Sequence, residues 1–87
     1  MSLEDNFKDA TVRVKGLSSR PSNQDLLELY ALYKQGSTGD VSGKRPGMMN
    51  FTGRAKYDAW AGKKKMSNDD AKNKYVALVD RLLAADS

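Results

Sequence analysis

Two tyrosines and a lysine stand at a spacing that could form a binding surface. Tyr30, Tyr33 and Lys34 occupy positions i, i+3 and i+4, which share one face when the segment is helical. The phenol rings offer a stacking surface for a planar base, and their hydroxyls and the ammonium group can donate hydrogen bonds to phosphate. The same trio also suits an ordinary helix with packed tyrosines and a solvated lysine, and both interpretations stay open on these residues alone.

A further candidate cation is Lys56, which lies between Arg54 and Trp60. Trp60 follows Lys56 by one helical turn, so the lysine stem could simply lie on the indole ring. The run of three lysines from Lys63 to Lys65 is explained by a helix C-terminus and by solvation. Lys56 is therefore the more informative position for a phosphate contact.

The composition limits the chemistry that these residues could perform. The chain of 87 residues contains no histidine and no cysteine, which removes the commonest general base, the commonest metal ligand and every thiolate site. An enzyme is thus disfavoured, and no metal site or cofactor is expected. The net charge of +4 suits an anionic small ligand and also nucleic acid.

The same bulk features indicate one intracellular domain spanning residues 1–87. No apolar run reaches the roughly 20 residues of a membrane-spanning helix, so stable membrane insertion is not expected. The first nine residues, MSLEDNFKD, lack the apolar core of a secretory signal. A cytoplasmic location follows as the expectation.

Four helices are predicted to position the candidate residues. Ser-x-x-Asp strings beginning at Ser2, Ser22 and Ser67 resemble capping boxes, and Asn50 is a fourth plausible cap. Each precedes apolar residues at helical spacing, and the first helix is expected to end near Lys15. The predicted stripes are Leu3, Phe7, Ala10 and Val14; Leu26, Leu29, Tyr30 and Tyr33, widened by Leu27 and Leu32; Phe51, Ala55 and Ala59; and Ala71, Tyr75, Leu78, Val79 and Leu82.

Residues 37–49 show no period and contain three glycines and a proline, so they are predicted to form a long loop. With no strand-like alternation, the fold class is an all-α four-helix bundle. Packing the four stripes together would leave no apolar surface over, so a monomer is expected. These features leave open a binder of a nucleotide-like phosphorylated ligand, a weak nucleic-acid module and a protein-interaction bundle.

The order of the motifs resembles the acyl-CoA-binding protein family over about residues 7–83. The motifs are Leu-x-Leu-Tyr-x-Leu-Tyr-Lys-Gln at 27–35, Thr-Gly-Asp at 38–40, Arg-Pro-Gly-Met at 45–48, Phe-x-Gly-Arg-Ala-Lys-Tyr-Asp-Ala-Trp at 51–60 and Met-Ser-x-x-Asp-Ala at 66–71. The resemblance implies an up-down-down-up bundle with an overhand loop between helices 2 and 3. It also implies non-catalytic carriage of medium- to long-chain fatty acyl-CoA, with no nucleic-acid partner.

The resemblance also implies roles for individual residues. Tyr33 would face the adenine, Tyr30, Lys34 and Lys56 would hold the 3′-phosphate, and Tyr75 would lie along the pantetheine and acyl portion. Lys15 would approach the ligand from the first helix. The implied acyl-CoA-binding set is completed by Ala31 and Leu32, which lie between the two tyrosines, and by Thr52.

Four positions depart from the family pattern, one of which is Gly36, where alanine is commoner. Thr52 stands where many members have a further lysine, so one phosphate contact is expected to be weaker. Tyr57 replaces a usual tryptophan, and Lys65 replaces a common glycine where a left-handed backbone is wanted. None of these departures removes the tyrosines or Lys56.

Overall fold

The structure, a computed structural model, describes residues 2–86 and contains four α-helices. They are α1 (Leu3–Arg13), α2 (Asn23–Ser37), α3 (Phe51–Ala61) and α4 (Asn68–Ala85), and a 3₁₀ turn over Val14–Gly16 extends α1. No strand occurs within residues 2–86, so the all-α prediction is confirmed. None of the helices in this range is both long enough and apolar enough to cross a bilayer.

All four predicted helix starts are confirmed by side-chain caps. The hydroxyls of Ser2, Ser22 and Ser67 accept the N–H three residues further on, at 3.1, 3.1 and 3.0 Å. The Asn50 side chain accepts the N–H of Gly53 at 2.9 Å. Caps of this kind stabilise a helix by about 0.5–2 kcal/mol each, so local sequence fixes where the helices begin.

Contacts between α1 and α4 show that these helices run in the same direction. Near the start of each helix, Lys72 forms an ion pair with Glu4 at 2.8 Å. Further along both helices, Arg13 pairs with Asp80, also at 2.8 Å. The residue numbers rise together between the two pairs, as they must for a parallel arrangement.

The same test shows that α2 and α3 are parallel. The Lys56 ammonium lies 5.4 Å from the centre of the Tyr30 ring, and one turn later the Lys34 ammonium lies 4.9 Å from the centre of Trp60. Position 30 thus meets 56 and position 34 meets 60. Two parallel helices in sequence need a connection that returns along their length, and this explains the long loop.

Helices α2 and α4 run in opposite directions. Arg81, near the end of α4, contacts Asp25 at the start of α2 at 3.1 Å. Asn68, at the start of α4, donates to the carbonyl oxygen of Gln35 near the end of α2 at 3.0 Å. The three helix pairs together give the up-down-down-up order that the family resemblance implied.

The core lies where α1, α2 and α4 meet. Helix α3 contacts α2 and contributes the buried Trp60. Because these helices are amphipathic, packing their apolar faces removes those faces from water and stabilises the bundle. The buried cluster consists of Phe7, Ala10, Leu29, Leu32, Tyr75, Leu78 and Val79.

One predicted stripe is wrong in part. Phe51 was expected to pack with Ala55 and Ala59, but its side chain is 76% exposed, and Met48 and Met49 beside it are also exposed. Phe51 is the first residue of α3, so it lies at the end of the predicted stripe, beside the open groove between α2 and α3. The expectation that packing four stripes would leave no apolar surface is therefore also wrong.

The loop between α2 and α3 is held by side chains of α3. The Trp60 indole N–H donates to the carbonyl of Gly39 at 2.7 Å, and the Tyr57 hydroxyl donates to the carbonyl of Gly43 at 3.0 Å. Both glycines have positive φ, a conformation that glycine adopts without steric cost. Tyr57, a departure from the family pattern, thus has a defined role in positioning the loop.

Asp40 ties the loop to α2 and to the turn between α3 and α4. One of its carboxylate oxygens accepts from the Gln35 side chain at 2.9 Å and from the backbone N–H of Lys65 at 2.7 Å. Lys65 has φ of 75°, so the expected left-handed conformation is confirmed at a non-glycine residue. Such strain costs on the order of 1 kcal/mol or more, and the bond to Asp40 offsets part of it.

We expect the stability of the fold to be sensitive to acid, because two carboxylates hold the loop between α2 and α3. The hydrogen bonds from Gln35 and Lys65 lower the pKa of Asp40, and the Arg45 guanidinium lowers the pKa of Asp58. Both pKa values lie below 3.8 in the folded protein, so the unfolded chain takes up protons first as the pH falls. We expect the free energy of unfolding to be constant near neutrality and to decrease below pH 3.8, measured by urea titration with Trp60 emission. Unchanged stability at pH 3 would contradict these contacts.

A basic two-groove site on helix α2

Two grooves flank the exposed face of α2 and meet on it. The α1–α2 groove has a volume of about 420 Å³ and is lined by the 14–21 segment, α2 and Tyr75. The α2–α3 groove has a volume of about 640 Å³ and lies between α2 and the first half of α3. Both grooves are lined by Arg20, Leu26 and Tyr30, so a long ligand could pass from one into the other.

Tyr33 lies in an aromatic cluster at one end of the α1–α2 groove. Its ring centre is 5.7 Å from that of Phe7, nearly parallel to it, and 6.3 Å from that of Tyr75. Phe7 and Tyr75 contact each other edge to face at 5.2 Å. Tyr33 is 43% exposed whereas the other two rings are buried. The buried rings therefore support Tyr33 and leave it an accessible face for a planar group.

Tyr75 contributes an uncharged phenol to this groove. Burial raises the pKa of the Tyr75 hydroxyl above its ordinary value, and the neighbouring Tyr33 raises it further. The phenol is consequently neutral across the physiological range and can act as a hydrogen-bond donor. A neutral, mostly apolar side chain in this position suits a ligand segment that carries no charge.

The predicted lysines are placed differently from one another. Lys56 lines the α2–α3 groove with its ammonium over the Tyr30 ring, and Lys15 lines the α1–α2 groove. Lys34 lines neither groove, because its ammonium lies over Trp60. Its Cα is one turn from Tyr30 on the same helix face, so a change of rotamer is needed to bring Lys34 to a ligand at Tyr30.

Arg20 is a cation that the sequence analysis missed. It lines both grooves at their junction, and its guanidinium donates to the Asn23 side-chain oxygen at 3.1 Å. The available signal was its position, since Arg20 precedes Pro21 and the Ser22 cap of α2. Because α2 carries other candidate ligand-contacting residues, a basic residue just before this helix was itself a candidate for ligand binding.

The remaining predicted residues lie at the surface or in the core. Thr52 is exposed and lines the α2–α3 groove, where it supplies a hydroxyl but no charge. Ala31 and Leu32 are 0% and 2% exposed. Their side chains face the interior of the bundle and line neither groove, so they hold α2 in place rather than offering a surface to a ligand.

The lining of the two grooves defines a class of ligand. Lys15, Arg20 and Lys56 are positively charged, no acidic residue lines either groove, and the other lining side chains are largely aliphatic or aromatic. Within residues 2–86, acidic side chains form no cluster suited to a metal ion. The molecule is thus an all-α binding protein with a site suited to an amphiphile that has an anionic head and an apolar part.

Comparison with known proteins supports the same class of protein, an all-α binding protein. The family described as "Acyl CoA binding protein" matches residues 4–79. Acyl-CoA-binding protein homolog 1 of Caenorhabditis elegans is 51% identical over 79 residues, which cover 91% of this chain and 92% of the relative. The homolog of Manduca sexta is 48% identical over 86 residues, covering 98% of this chain and 96% of the relative.

A solved structure shows the same arrangement of helices. Acyl-CoA-Binding Protein 2 of Oryza sativa superposes with a TM-score of 0.92 at 37% identity, covering 95% of this chain and 90% of the other. With a family match over most of the chain and relatives near half identity, the chain belongs to the acyl-CoA-binding protein family.

Proposed function

We propose that residues 1–87 act as one domain that binds medium- to long-chain fatty acyl-CoA with high affinity, as a monomeric cytoplasmic carrier and store. The proposal includes no catalysis, no nucleic-acid partner and no stable membrane insertion. The observation that carries it is the meeting of two acid-free grooves at Tyr30, lined by Lys15, Arg20 and Lys56 and otherwise largely apolar.

The CoA head accounts for the polar part of the site. In this proposal the adenine stacks on the exposed face of Tyr33. Tyr30 and Lys56 bind the 3′-phosphate, and they are already adjacent at 5.4 Å. Lys34 joins them after leaving Trp60, and Lys15 approaches from the end of α1. Charge-assisted hydrogen bonds of this kind contribute roughly 1.5–3 kcal/mol each.

The apolar lining accounts for the acyl chain. Leu26 faces both grooves, Leu27 and Ala55 line the α2–α3 groove, and Tyr75 lines the α1–α2 groove. Burying a methylene group contributes up to about 0.8 kcal/mol before ordering costs are subtracted. The CoA head should therefore determine which class of ligand binds, and the acyl chain should determine how tightly the ligand binds.

Native mass spectrometry with equimolar hexadecanoyl-CoA tests the proposal. We expect a single complex with one ligand per chain, and after prolonged incubation we expect the thioester to be intact. A spectrum that contains only the free chain would contradict binding. Release of CoA and hexadecanoate, absent from a protein-free control, would contradict the non-catalytic role.

Arg20 is expected to contribute to binding at the groove junction. Because it is exposed, its contribution should be smaller than that of an enclosed charge, and we expect Arg20→Ala to weaken hexadecanoyl-CoA binding about three- to tenfold. Arg81→Ala, which removes an exposed arginine from α4, is the matched control and should bind normally. Equal affinity of the Arg20 variant and wild type in calorimetry would exclude this role.

A further inference from the structure

The segment over residues 17–21, which joins the 3₁₀ turn to α2, forms one wall of the α1–α2 groove. These five residues contain neither helix nor strand. Within residues 2–86, no backbone-to-backbone hydrogen bond involves residues 18–21. Backbone that is held by few contacts opens most easily. The shape of this wall therefore depends on side-chain contacts from the neighbouring elements.

Asp86, the residue that follows α4, supplies such a contact. One of its carboxylate oxygens accepts the backbone N–H of Ser18 at 2.9 Å, and the other accepts the Ser18 hydroxyl at 2.8 Å. These bonds lower the pKa of Asp86, so its carboxylate is ionised near neutral pH and both hydrogen bonds are charge-assisted. Asp86 lines neither groove, so its effect on a ligand must pass through Ser18.

The carboxylate of Asp86 does not serve the helix that carries it. A helix C-terminus has partial negative charge, and a nearby anion destabilises it. The last turn of α4 contains no basic residue that would offset this repulsion. The stability of α4 therefore gives no reason for an aspartate at this position, whereas the two bonds to Ser18 do.

We propose that Asp86 is a positioning residue for the ligand site, because it holds Ser18 and thereby fixes the 17–21 wall of the α1–α2 groove. Arg20, two residues after Ser18, lines both grooves and is itself tied to Asn23 at 3.1 Å. A wall that is fixed before the ligand arrives does not have to be ordered on binding, and this favours affinity. The effect on affinity rests on the proposed function, but the holding of Ser18 does not.

Amide hydrogen exchange of the ligand-free protein, followed by NMR, tests the holding of Ser18. We expect the Ser18 amide to exchange about tenfold faster in Asp86→Ala than in wild type, because it loses its acceptor. Asp86→Asn keeps an acceptor oxygen of the same reach, so its exchange should be closer to wild type. Asp69→Ala removes an exposed aspartate from the start of α4 and should leave the exchange of Ser18 unchanged. Equal exchange in wild type and Asp86→Ala would overturn the proposal.

Calorimetry with hexadecanoyl-CoA tests the consequence for the site. Asp86→Ala should weaken binding about fivefold, since the wall must then be ordered on binding. The loss of a negative charge alone would instead strengthen the binding of an anion, so Asp69→Ala should bind at least as tightly as wild type. Asp86→Asn makes the same change of charge and should recover most of the affinity. Wild-type or tighter binding by Asp86→Ala would overturn the positioning role, as would an equal loss in Asp86→Asn.

The two measurements separate failure of this proposal from failure of the proposed function. Circular dichroism should be the same for all variants, so that the affinities compare folded proteins. If wild type bound hexadecanoyl-CoA and Asp86→Ala bound it equally well, the positioning role alone would be wrong. If wild type bound no hexadecanoyl-CoA, the proposed function would be wrong and the positioning role with it, while hydrogen exchange would still show whether Asp86 holds Ser18.

Discussion

Replacing Lys56 by alanine should weaken hexadecanoyl-CoA binding about 10- to 100-fold while leaving the bundle folded. The ammonium lies over the Tyr30 ring in the α2–α3 groove, and the side chain is exposed, so its removal leaves no buried cavity. One charge-assisted hydrogen bond to phosphate contributes roughly 1.5–3 kcal/mol, and each 1.4 kcal/mol is about tenfold in affinity. Calorimetry gives the affinity, and circular dichroism gives the fold.

Lys74→Ala is the matched control for Lys56→Ala. Lys74 is an exposed lysine on α4 that lines neither groove, so its loss changes the net charge equally without touching the site. We expect its affinity to stay within about twofold of wild type at moderate salt. If both variants lost affinity equally, the effect would be long-range attraction, and if Lys56→Ala bound normally, its assignment to the phosphate would be wrong.

Replacing Leu32 by alanine should lower the free energy of unfolding by about 2–5 kcal/mol, the range observed when a buried leucine is truncated. Leu32 is 2% exposed and belongs to the core cluster. Small domains commonly have only 5–15 kcal/mol in total, so the variant should unfold at a much lower urea concentration. Urea titration followed by circular dichroism measures the loss.

The Leu32 variant also separates packing from ligand contact. Because its side chain lines neither groove, the folded fraction at low temperature should bind hexadecanoyl-CoA with near wild-type affinity. Val12→Ala, at an exposed position, should change stability by less than about 0.5 kcal/mol. A large loss of affinity in fully folded Leu32→Ala would restore Leu32 to the ligand-contacting set.

The helix starts could be predicted because they depend on short-range signals. A serine or asparagine that accepts an N–H three residues later is encoded within a single turn, and all four such starts are confirmed. The loop predicted over residues 37–49 could likewise be recognised as too long for a simple turn. Its role in making α2 and α3 parallel was available from the family resemblance, not from the loop residues themselves.

Which individual side chains on these helices are buried and which are exposed was harder to predict. Helical spacing places Leu32 and Tyr33 on a broad apolar face, but it cannot say which is covered by α4 and which is left beside a groove. Phe51 has the right spacing to pack with Ala55, yet at the first position of α3 it remains exposed. Exposure at the ends of a stripe depends on where the neighbouring helices stop, which is tertiary information.

Long cationic side chains were the least predictable part of the site. Lys34 has a Cα beside that of Tyr30, but its ammonium lies over Trp60, since a flexible stem can reach either ring. Arg20 lies outside any helix, and only the return of the 14–22 segment along α2 brings it to both grooves. Helical periodicity carries no information about either placement.

The central claim is that the head group selects the ligand and the acyl chain supplies most of the affinity. Calorimetry of the wild-type protein with hexadecanoyl-CoA, free CoA and hexadecanoate under one set of conditions tests this claim most directly. We predict that hexadecanoyl-CoA binds at least a thousandfold more tightly than free CoA, because more than about 4 kcal/mol of chain burial should remain after ordering costs, and that hexadecanoate binds poorly. Equal affinity for hexadecanoyl-CoA and free CoA would contradict the account.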